Sequence, residues 1–196
     1  LPVIDNIGVL STGKAFTGAY SDHLLEDAWT FGGNATFYLP FGASDDTYLS
    51  FDYFGTRFAE QMVVDYEHGL NAIEFYALGG KRSYSNNYQV DFNVEAFRRF
   101  TVSATFRYTD AMVELEGRGL VERPMTSRYK GVLNLQYATN LNKWIFDFTA
   151  SVNGKSRVYE FMKGLRGDDG ELLYKDGYTP VYPPLYLQVT KRFKGV

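Results

Sequence analysis

The sequence predicts an all-β, antiparallel fold, and three features carry that prediction. Apolar and polar residues alternate with a period of two along several segments, as in β-strands whose two faces meet different surroundings. No segment shows the 3.6-residue apolar period of an amphipathic helix, so an α/β fold is not expected. The connections between the extended segments alternate between short turns and long loops.

The longest regular alternation covers residues 84–109 and predicts a β-hairpin with its turn at 97–100. Only Asn86 interrupts the pattern on the first arm. The predicted apolar face consists of Tyr84, Tyr88, Val90, Phe92, Val94 and Ala96 on the first arm and Val102, Ala104, Phe106 and Tyr108 on the second.

Shorter alternations before and after the hairpin raise the prediction to about seven strands. Residues 1–28 carry little periodicity and are expected to be an extracellular loop region. Within 47–67 the apolar residues change from odd to even positions near Gly55, which predicts a bulge or a change of environment there. Extended segments are predicted at 29–39, 47–67, 71–80, 129–137, 144–153 and 185–194. Short turns are predicted at 40–46, 97–100 and 138–143, and long connections at 67–83, 111–127 and 154–184.

Aromatic rings supply most of the apolar surface. The 196 residues include 16 Tyr, 16 Phe and 2 Trp, although the mean hydropathy is -0.27. Rings of this kind suit membrane barrels and their interfaces with water. The net charge of -3 and the scattered basic residues argue against a nucleic-acid partner. The absence of Cys excludes disulfides and thiol chemistry, and no apolar run is long enough for a transmembrane helix.

The alternation of short and long connections favours a transmembrane barrel over a soluble sandwich. Bacterial outer-membrane barrels have short turns at one end, long loops at the other, and strands that alternate lipid-facing and lumen-facing residues. The sequence therefore predicts an antiparallel transmembrane β-barrel segment. Girdle residues are expected near strand ends at Trp29, Phe97, Phe100, Tyr137 and Trp144. The charged residues expected to face the lumen or a plug are Asp91, Glu95, Arg107, Arg128 and Lys130.

The long loops contain basic and aromatic residues that could bind an anionic, ring-bearing ligand. These candidates are Arg118, Arg123, Arg157, Tyr159, Arg166, Tyr174 and Tyr178.

No motif commits the chain to catalysis, so an enzyme is not expected, and neither a metal nor a cofactor is predicted. His23 and His68 lack ligand spacing. The acidic run at 168–171 has Asp-Gly turn chemistry rather than the spacing of a calcium loop. Glu114 and Glu116 are weak candidates for a glycosidase pair because they lie at a predicted strand end.

Several strings along the chain resemble one known family. They are EDAWTFGGNATFYLPF (26–41), FDYFGTRFAEQMVVDYE (51–67), GGKRSYSNNYQVDFNVEAF (79–97), RPMTSRYKGVLNLQYATNLNKWIFDFTASVNG (123–154) and PPLYLQVTKRFKG (183–195). In this order they are similar to the C-terminal barrel of TonB-dependent outer-membrane receptors, in particular the Bacteroidetes-type branch. Nothing in the chain matches the plug domain or the TonB-binding peptide of that family.

The resemblance implies both an architecture and a function. Residues 29–196 would form roughly the fourteenth to twentieth strands of a barrel of about 22 strands, with two more strands expected to follow. The family imports a scarce nutrient complex, such as a ferric siderophore, haem or cobalamin, into the periplasm with energy supplied by TonB. The implied partners are outer-membrane lipid, the TonB complex acting through a plug domain, and a small-molecule or metal-chelate ligand, with a surface lipoprotein as a further candidate. The alternatives are a small self-contained outer-membrane barrel, structural or adhesive, and a soluble β-sandwich that binds carbohydrate.

Overall fold

The computed structural model describes residues 26–65, 67 and 74–193, and it confirms an all-β, antiparallel fold. The strands are β1 (Asp27–Tyr38), β2 (Tyr48–Glu60), β3 (Met62–Asp65), β4 (Glu74–Ala77), β5 (Ser83–Phe97), β6 (Phe100–Leu115), β7 (Gly119–Glu122), β8 (Tyr129–Ala138), β9 (Trp144–Asn153) and β10 (Leu185–Lys191). Single 3-10 turns occupy Asn140–Asn142, Glu160–Met162 and Lys175–Gly177. In this part of the chain no helix has the length and apolar character needed to cross a membrane.

Seven strands form one antiparallel path in the order β1-β2-β5-β6-β8-β9-β10, and β7 pairs with the last residues of β6. A separate hairpin, β3-β4, lies between β2 and β5 in sequence. The short connections, β1-β2, β5-β6 and β8-β9, define a turn end of the sheet. The connections β2-β5, β6-β8 and β9-β10 define the opposite, loop end, where β3-β4 and β7 also lie.

The main sheet has an apolar face and a polar face. The register of the predicted hairpin pairs Tyr88 with Tyr108 and Phe92 with Ala104, so the apolar residues of both arms share a face. Large side chains on this face stay exposed, among them Phe51, Phe106 and Phe146. Within the described residues no second sheet covers the apolar face.

A small hydrophobic core lies at the loop end. Val63 of β3 and Leu78 after β4 pack with Val113 and Leu115, and Phe58 joins them from β2. By strand parity, Phe58, Val113 and Leu115 belong to the polar face of the sheet. The β3-β4 hairpin therefore folds over the polar face at the loop end. The side chains of that face are mostly apolar there, whereas they are mostly polar along the rest of the sheet.

This packing explains two departures from the predicted pattern. The predicted bulge near Gly55 is wrong, because the register of β2 runs unbroken past Gly55 against both β1 and β5. The change of environment is present instead, because Phe58 packs in the loop-end core. The predicted segment 47–67 also divides at Gln61 into β2 and β3.

Other predicted boundaries also differ from the structure. The prediction of a long connection at 111–127 is wrong, because β6 continues to Leu115 and forms a hairpin with β7. Gly117 and Gly119, both with φ of +71°, permit the tight turn between them. The last strand ends at Lys191 rather than at residue 194, and β1 begins at Asp27, inside the predicted loop region. Residues 1–25, including His23, and His68 lie outside the described residues.

Candidate functional site

Four tyrosines form a row across the apolar face. The register aligns Tyr53, Tyr88, Tyr108 and Tyr129 on four neighbouring strands, β2, β5, β6 and β8. The ring centroids of Tyr53 and Tyr88 lie 4.9 Å apart, and those of Tyr88 and Tyr108 lie 6.3 Å apart. We call this set the tyrosine row; it lies on the loop-end side of the apolar face.

A second row of rings crosses the same face at the turn end. Phe97, Phe100, Tyr137 and Phe146 align on β5, β6, β8 and β9, and we call them the turn-end aromatic row. Phe97 and Phe100 stack with centroids 4.6 Å apart, and Trp144 stacks on Phe146 at 6.5 Å. Four of the five predicted girdle residues thus lie together, and the fifth, Trp29, lies at the loop end of β1.

Among the described residues, only apolar residues and a glycine lie between the two rows, and we call this zone the apolar band. Its three rows are Val94, Val102, Leu135, Phe148 and Leu187; Leu49, Phe92, Ala104, Leu133, Ala150 and Leu185; and Phe51, Val90, Phe106, Gly131 and Val152.

The polar face carries hydrogen bonds between side chains of neighbouring strands and between side chains of the same strand. Asp91 accepts from the Thr105 hydroxyl at 2.6 Å and from Nε2 of Gln89 at 2.7 Å. Arg107 donates from Nε and Nη2 to Oε1 of Gln89 at 3.1 and 2.8 Å. Lys130 is directly opposite Arg107 in the register. Three of the predicted lumen-facing residues therefore lie close together on one polar surface.

A basic cleft opens where the polar face meets the loop-end core. It has a volume of about 390 Å³ and is lined by Arg107, Arg123 and Lys130, with several hydroxyl-bearing side chains. Its roof is the chain after β7, which is fixed to β6 because Thr109 N donates to Arg128 O at 2.7 Å and Arg123 N to Ala111 O at 2.9 Å. The cleft brings two predicted lumen residues to one predicted ligand-binding residue.

Arg123 carries a charge that the cleft leaves available. Its Nη2 donates to Oε1 of Gln61 at 3.0 Å and to the Ser83 hydroxyl at 3.2 Å, and its guanidinium lies 4.9 Å from the centroid of the Phe58 ring. Burial lowers the pKa of Arg123, and the charge of Glu26 opposes that shift. No carboxylate of a described residue forms an ion pair with it. The cleft is therefore suited to an anion or to a ligand rich in hydroxyl groups.

A network of ion pairs and hydrogen bonds lies beside the cleft, and we call it the loop network. It contains two more predicted ligand-binding residues, Arg157 and Tyr178, and the predicted lumen-facing residue Arg128. Arg157 is paired with Glu67 and donates from Nε to the Glu122 carbonyl at 2.8 Å. The Tyr178 hydroxyl donates to Oε1 of Glu122 at 3.4 Å, and Arg128 forms an ion pair with the same carboxylate. These contacts hold the loops together, so Arg157 and Arg128 are already neutralised.

The remaining predicted residues lie further from the cleft. Arg118 is 3.5 Å from Glu160, whose pKa is lowered chiefly by a hydrogen bond from Lys163. Arg166 donates to the carbonyl of Gly170 at 2.6 Å, within its own turn.

Three more predicted residues belong to other local structures. Glu95 accepts from the backbone of Arg99 at 2.6 Å, beside the turn end. Tyr159 stacks on Phe161 at 5.6 Å, and Tyr174 adjoins the 3-10 turn Lys175–Gly177.

Sequence reasoning missed the carboxylates that organise this network. Glu67 follows β3 and Glu122 ends β7, and no spacing or motif distinguishes them from other acidic residues. Among the described residues no group of three acidic or histidine side chains is arranged to hold a metal ion. In the acidic run at 168–171, Glu171 N donates to Oδ1 of Asp169 at 3.0 Å, which is the geometry of a turn.

Comparisons with family models, with curated proteins and with solved structures found no match to this chain. The fold itself defines an all-β protein with an antiparallel sheet.

Proposed function

We propose that the chain is part of the wall of a TonB-dependent type receptor in the bacterial outer membrane, which imports a nutrient complex into the periplasm. The observation that carries the proposal is the apolar band bounded by the tyrosine row and the turn-end aromatic row. An apolar band between two aromatic girdles is typical of strands that cross a bilayer. The opposite, polar face would then line the lumen.

The height of the band fits a membrane. Phe100 and Tyr108 on β6 belong to the two aromatic rows and are eight residues apart. At about 3.4 Å per residue this corresponds to ~27 Å along the strand. A strand tilt of about 40° reduces it to ~21 Å, close to the roughly 25 Å of a barrel's apolar band.

The edges of the sheet support membership of a larger wall. In the described part of the chain, β1 and β10 each pair on one side only. In hydrocarbon, unpaired backbone groups cost several kcal/mol each, so a membrane sheet must close with further strands. A barrel of about 22 strands, as the resemblance implies, would provide them.

The basic cleft suggests the chemistry of the cargo. Arg107, Arg123 and Lys130 would attract an anionic chelate such as a ferric siderophore, or the acidic groups of haem or a corrinoid. The chain would act by binding, with no bond made or broken, and TonB would supply energy through a plug domain. A surface lipoprotein is a candidate partner at the loop end.

The alternatives make different structural demands. A β-sandwich would bury Phe146 and Phe148, which are exposed here. A self-contained barrel would pair its first strand with its last, whereas β1 and β10 do not pair among the described residues. These observations favour the receptor, and a single pair of residues tests its placement in lipid.

Val132 and Leu133 are consecutive on β8, are about equally exposed at 42% and 37%, and point to opposite faces. This chain contains no Cys, so Val132→Cys and Leu133→Cys each add a single thiol to it, and any Cys elsewhere in the complete protein is first replaced by Ser. In outer-membrane fractions, a charged maleimide should label the Val132→Cys variant rapidly and leave the Leu133→Cys variant unlabelled until detergent is added. Equal labelling of both variants without detergent would rule out the membrane placement.

Transport requires a separate test. Deletion of the gene should slow growth when iron, haem or a corrinoid is supplied only as one complex, and uptake should stop when the energising proton gradient is collapsed. Arg123→Ala should raise the concentration of the complex that half-saturates uptake. Unchanged growth of the deletion strain on every candidate complex would contradict the transport function even if the maleimide result holds.

A further inference from the structure

A second basic surface lies at the loop end of the sheet, just beyond the tyrosine row, and its residues Arg57 and Tyr84 have the strand parity of the apolar face. A groove of about 570 Å³ runs between the end of β2 and the chain entering β5, and Arg57, Lys81, Arg82 and Tyr84 line it. No carboxylate is among the described residues that line it. Neither the basic cleft nor the loop network uses these side chains.

Arg57 is held in place by neutral groups. Its guanidinium lies 5.0 Å from the centroid of the Tyr84 ring and 5.7 Å from that of Phe31. Its Nη1 donates to Oδ1 of Asn86 at 3.0 Å and to the carbonyl of Thr56 at 3.1 Å. No described carboxylate pairs with it, so the contacts orient the charge without neutralising it.

The other two cations are only weakly compensated. Arg82 is 3.9 Å from Glu114, and its side chain is 74% exposed. Lys81 is 3.9 Å from Glu116 and lies over the ring of Tyr76. Each pair is 3.9 Å long and has one largely exposed partner, so the pairing is loose and both cations remain available to a stronger acceptor.

The depth of the groove matches a lipid headgroup. Arg57 is paired with Tyr84, four residues beyond the pairing of Tyr53 with Tyr88. This separation is about 14 Å along the strand and ~10 Å along the membrane normal after allowing for tilt. Headgroup layers are roughly 5–8 Å thick on each side of the hydrocarbon core, slightly less than the height of the Arg57 backbone above the tyrosine row. The arginine side chain is long enough to bring its guanidinium back into the headgroup layer.

We propose that this groove binds the phosphate of an anionic lipid headgroup from the membrane around the sheet. Guanidinium groups recognise phosphate through paired hydrogen bonds, and basic pockets beside membrane-spanning elements bind anionic headgroups. Arg57 and Arg82 provide the two guanidinium groups, and Lys81 adds a point charge. The inference rests on the proposed membrane placement but not on the transport function.

The test is a lipid titration of the complete protein, extracted in a neutral detergent and followed by native mass spectrometry. Phosphatidylglycerol should bind in preference to phosphatidylcholine. The double variant Arg57→Gln/Arg82→Gln should weaken phosphatidylglycerol binding by roughly 30-fold, since each interfacial cation contributes severalfold. The charge-matched control Arg98→Gln/Arg192→Gln removes two exposed cations at the turn end and should leave this high-affinity binding unchanged.

One further variant and one competition experiment complete the test. The variant Arg57→Lys/Arg82→Lys should retain part of the affinity, because it keeps charge and loses the paired hydrogen bonds. Inorganic phosphate at the same concentration should not displace the lipid, and displacement would mean a site for soluble anions. Equal losses in the Gln variant and the turn-end control would also overturn the proposal. If the maleimide test places Leu133 in lipid and phosphatidylglycerol still shows no preference, this inference fails alone.

Discussion

Glu67 and Arg157 form an ion pair that joins two loops separated by 90 residues in sequence. The side chain of Glu67 is 1% exposed and that of Arg157 is 11% exposed, so both charges are buried. Glu67 also accepts a hydrogen bond from Glu160 N at 2.7 Å, and Arg157 donates to the Glu122 carbonyl at 2.8 Å. One pair thus fixes the loop after β3, the end of β7 and the start of the long β9-β10 connection.

Removing one partner of this pair should loosen all three loops. Arg157→Met leaves Glu67 buried without its counter-charge, at a cost of about 3–5 kcal/mol. Hydrogen exchange of residues 157–163 should accelerate accordingly, and the double variant Glu67→Gln/Arg157→Met should recover part of the protection. Lys175→Met is the matched control, because its pair with Glu171 is 75% and 69% exposed and is worth only about 0–1 kcal/mol. Equal effects of Arg157→Met and Lys175→Met would show that the buried pair does not hold the loops.

The sequence was informative where neighbouring strands are joined by short turns. The alternation at 84–109 predicted which residues of β5 and β6 share a face, because a hairpin fixes its own pairing. The complete tyrosine row could not be predicted, because the short β5-β6 turn aligns only Tyr88 with Tyr108, whereas the registers of Tyr53 and Tyr129 depend on the long β2-β5 and β6-β8 connections. The pattern of β6 also faded for a physical reason, since Val113 and Leu115 turn the polar face apolar where the β3-β4 hairpin covers it.

The candidate site was predicted in part. Arg107, Lys130 and Arg123 were selected as charged residues of strands and loops, and the structure brings them to one cleft. Nothing local distinguished Arg123 from Arg157, although Arg157 is paired with Glu67 and Arg123 forms no ion pair with a carboxylate of a described residue. That difference depends on contacts with Gln61 and Glu67, which no spacing along the chain reveals.

Consecutive glycines in β1 should respond oppositely to a methyl group. A Cβ on Gly32 would overlap the carbonyl oxygen of Tyr53, whereas a Cβ on Gly33 would have no described neighbour within 4 Å. Gly32→Ala should therefore destabilise the pairing of β1 with β2 by about 1–3 kcal/mol. Gly33→Ala should be neutral or stabilising by up to about 1 kcal/mol, since it restricts the unfolded chain. Urea unfolding of the two variants in lipid vesicles measures the difference, and equal midpoints would contradict the predicted overlap.

The β3-β4 hairpin should separate from the sheet at high pH. Burial raises the pKa of Tyr76 to about 12, while its hydroxyl donates to Asp65 at 3.3 Å and accepts from Glu116 N at 3.1 Å. The unfolded value is 10.0, so the contribution of the neutral phenol is complete below pH 10 and is lost as pH rises toward 12. The intrinsic exchange rate of every amide rises with pH, so the quantity to compare is the protection factor, and that of residues 74–78 should fall in this window in the wild type. Tyr76→Phe cannot ionise and should keep its protection; an identical fall in both proteins would exclude Tyr76 as the cause.

The cost of a charge on the apolar face should depend on its depth. Leu133 lies in the middle row of the apolar band, and Tyr137, on the same strand and face, lies in the turn-end aromatic row. In lipid vesicles, Leu133→Arg should lower the free energy of unfolding of the complete protein by about 2–4 kcal/mol. For Tyr137→Arg, the new charge itself should contribute only ~0–1 kcal/mol, apart from the loss of the ring. Val132→Arg, on the polar face, should cost little because the proposed lumen would hydrate the new charge. Unfolding followed through tryptophan fluorescence gives the three values, and equal costs at positions 132 and 133 would show that the two faces meet the same solvent, which no membrane-spanning sheet allows.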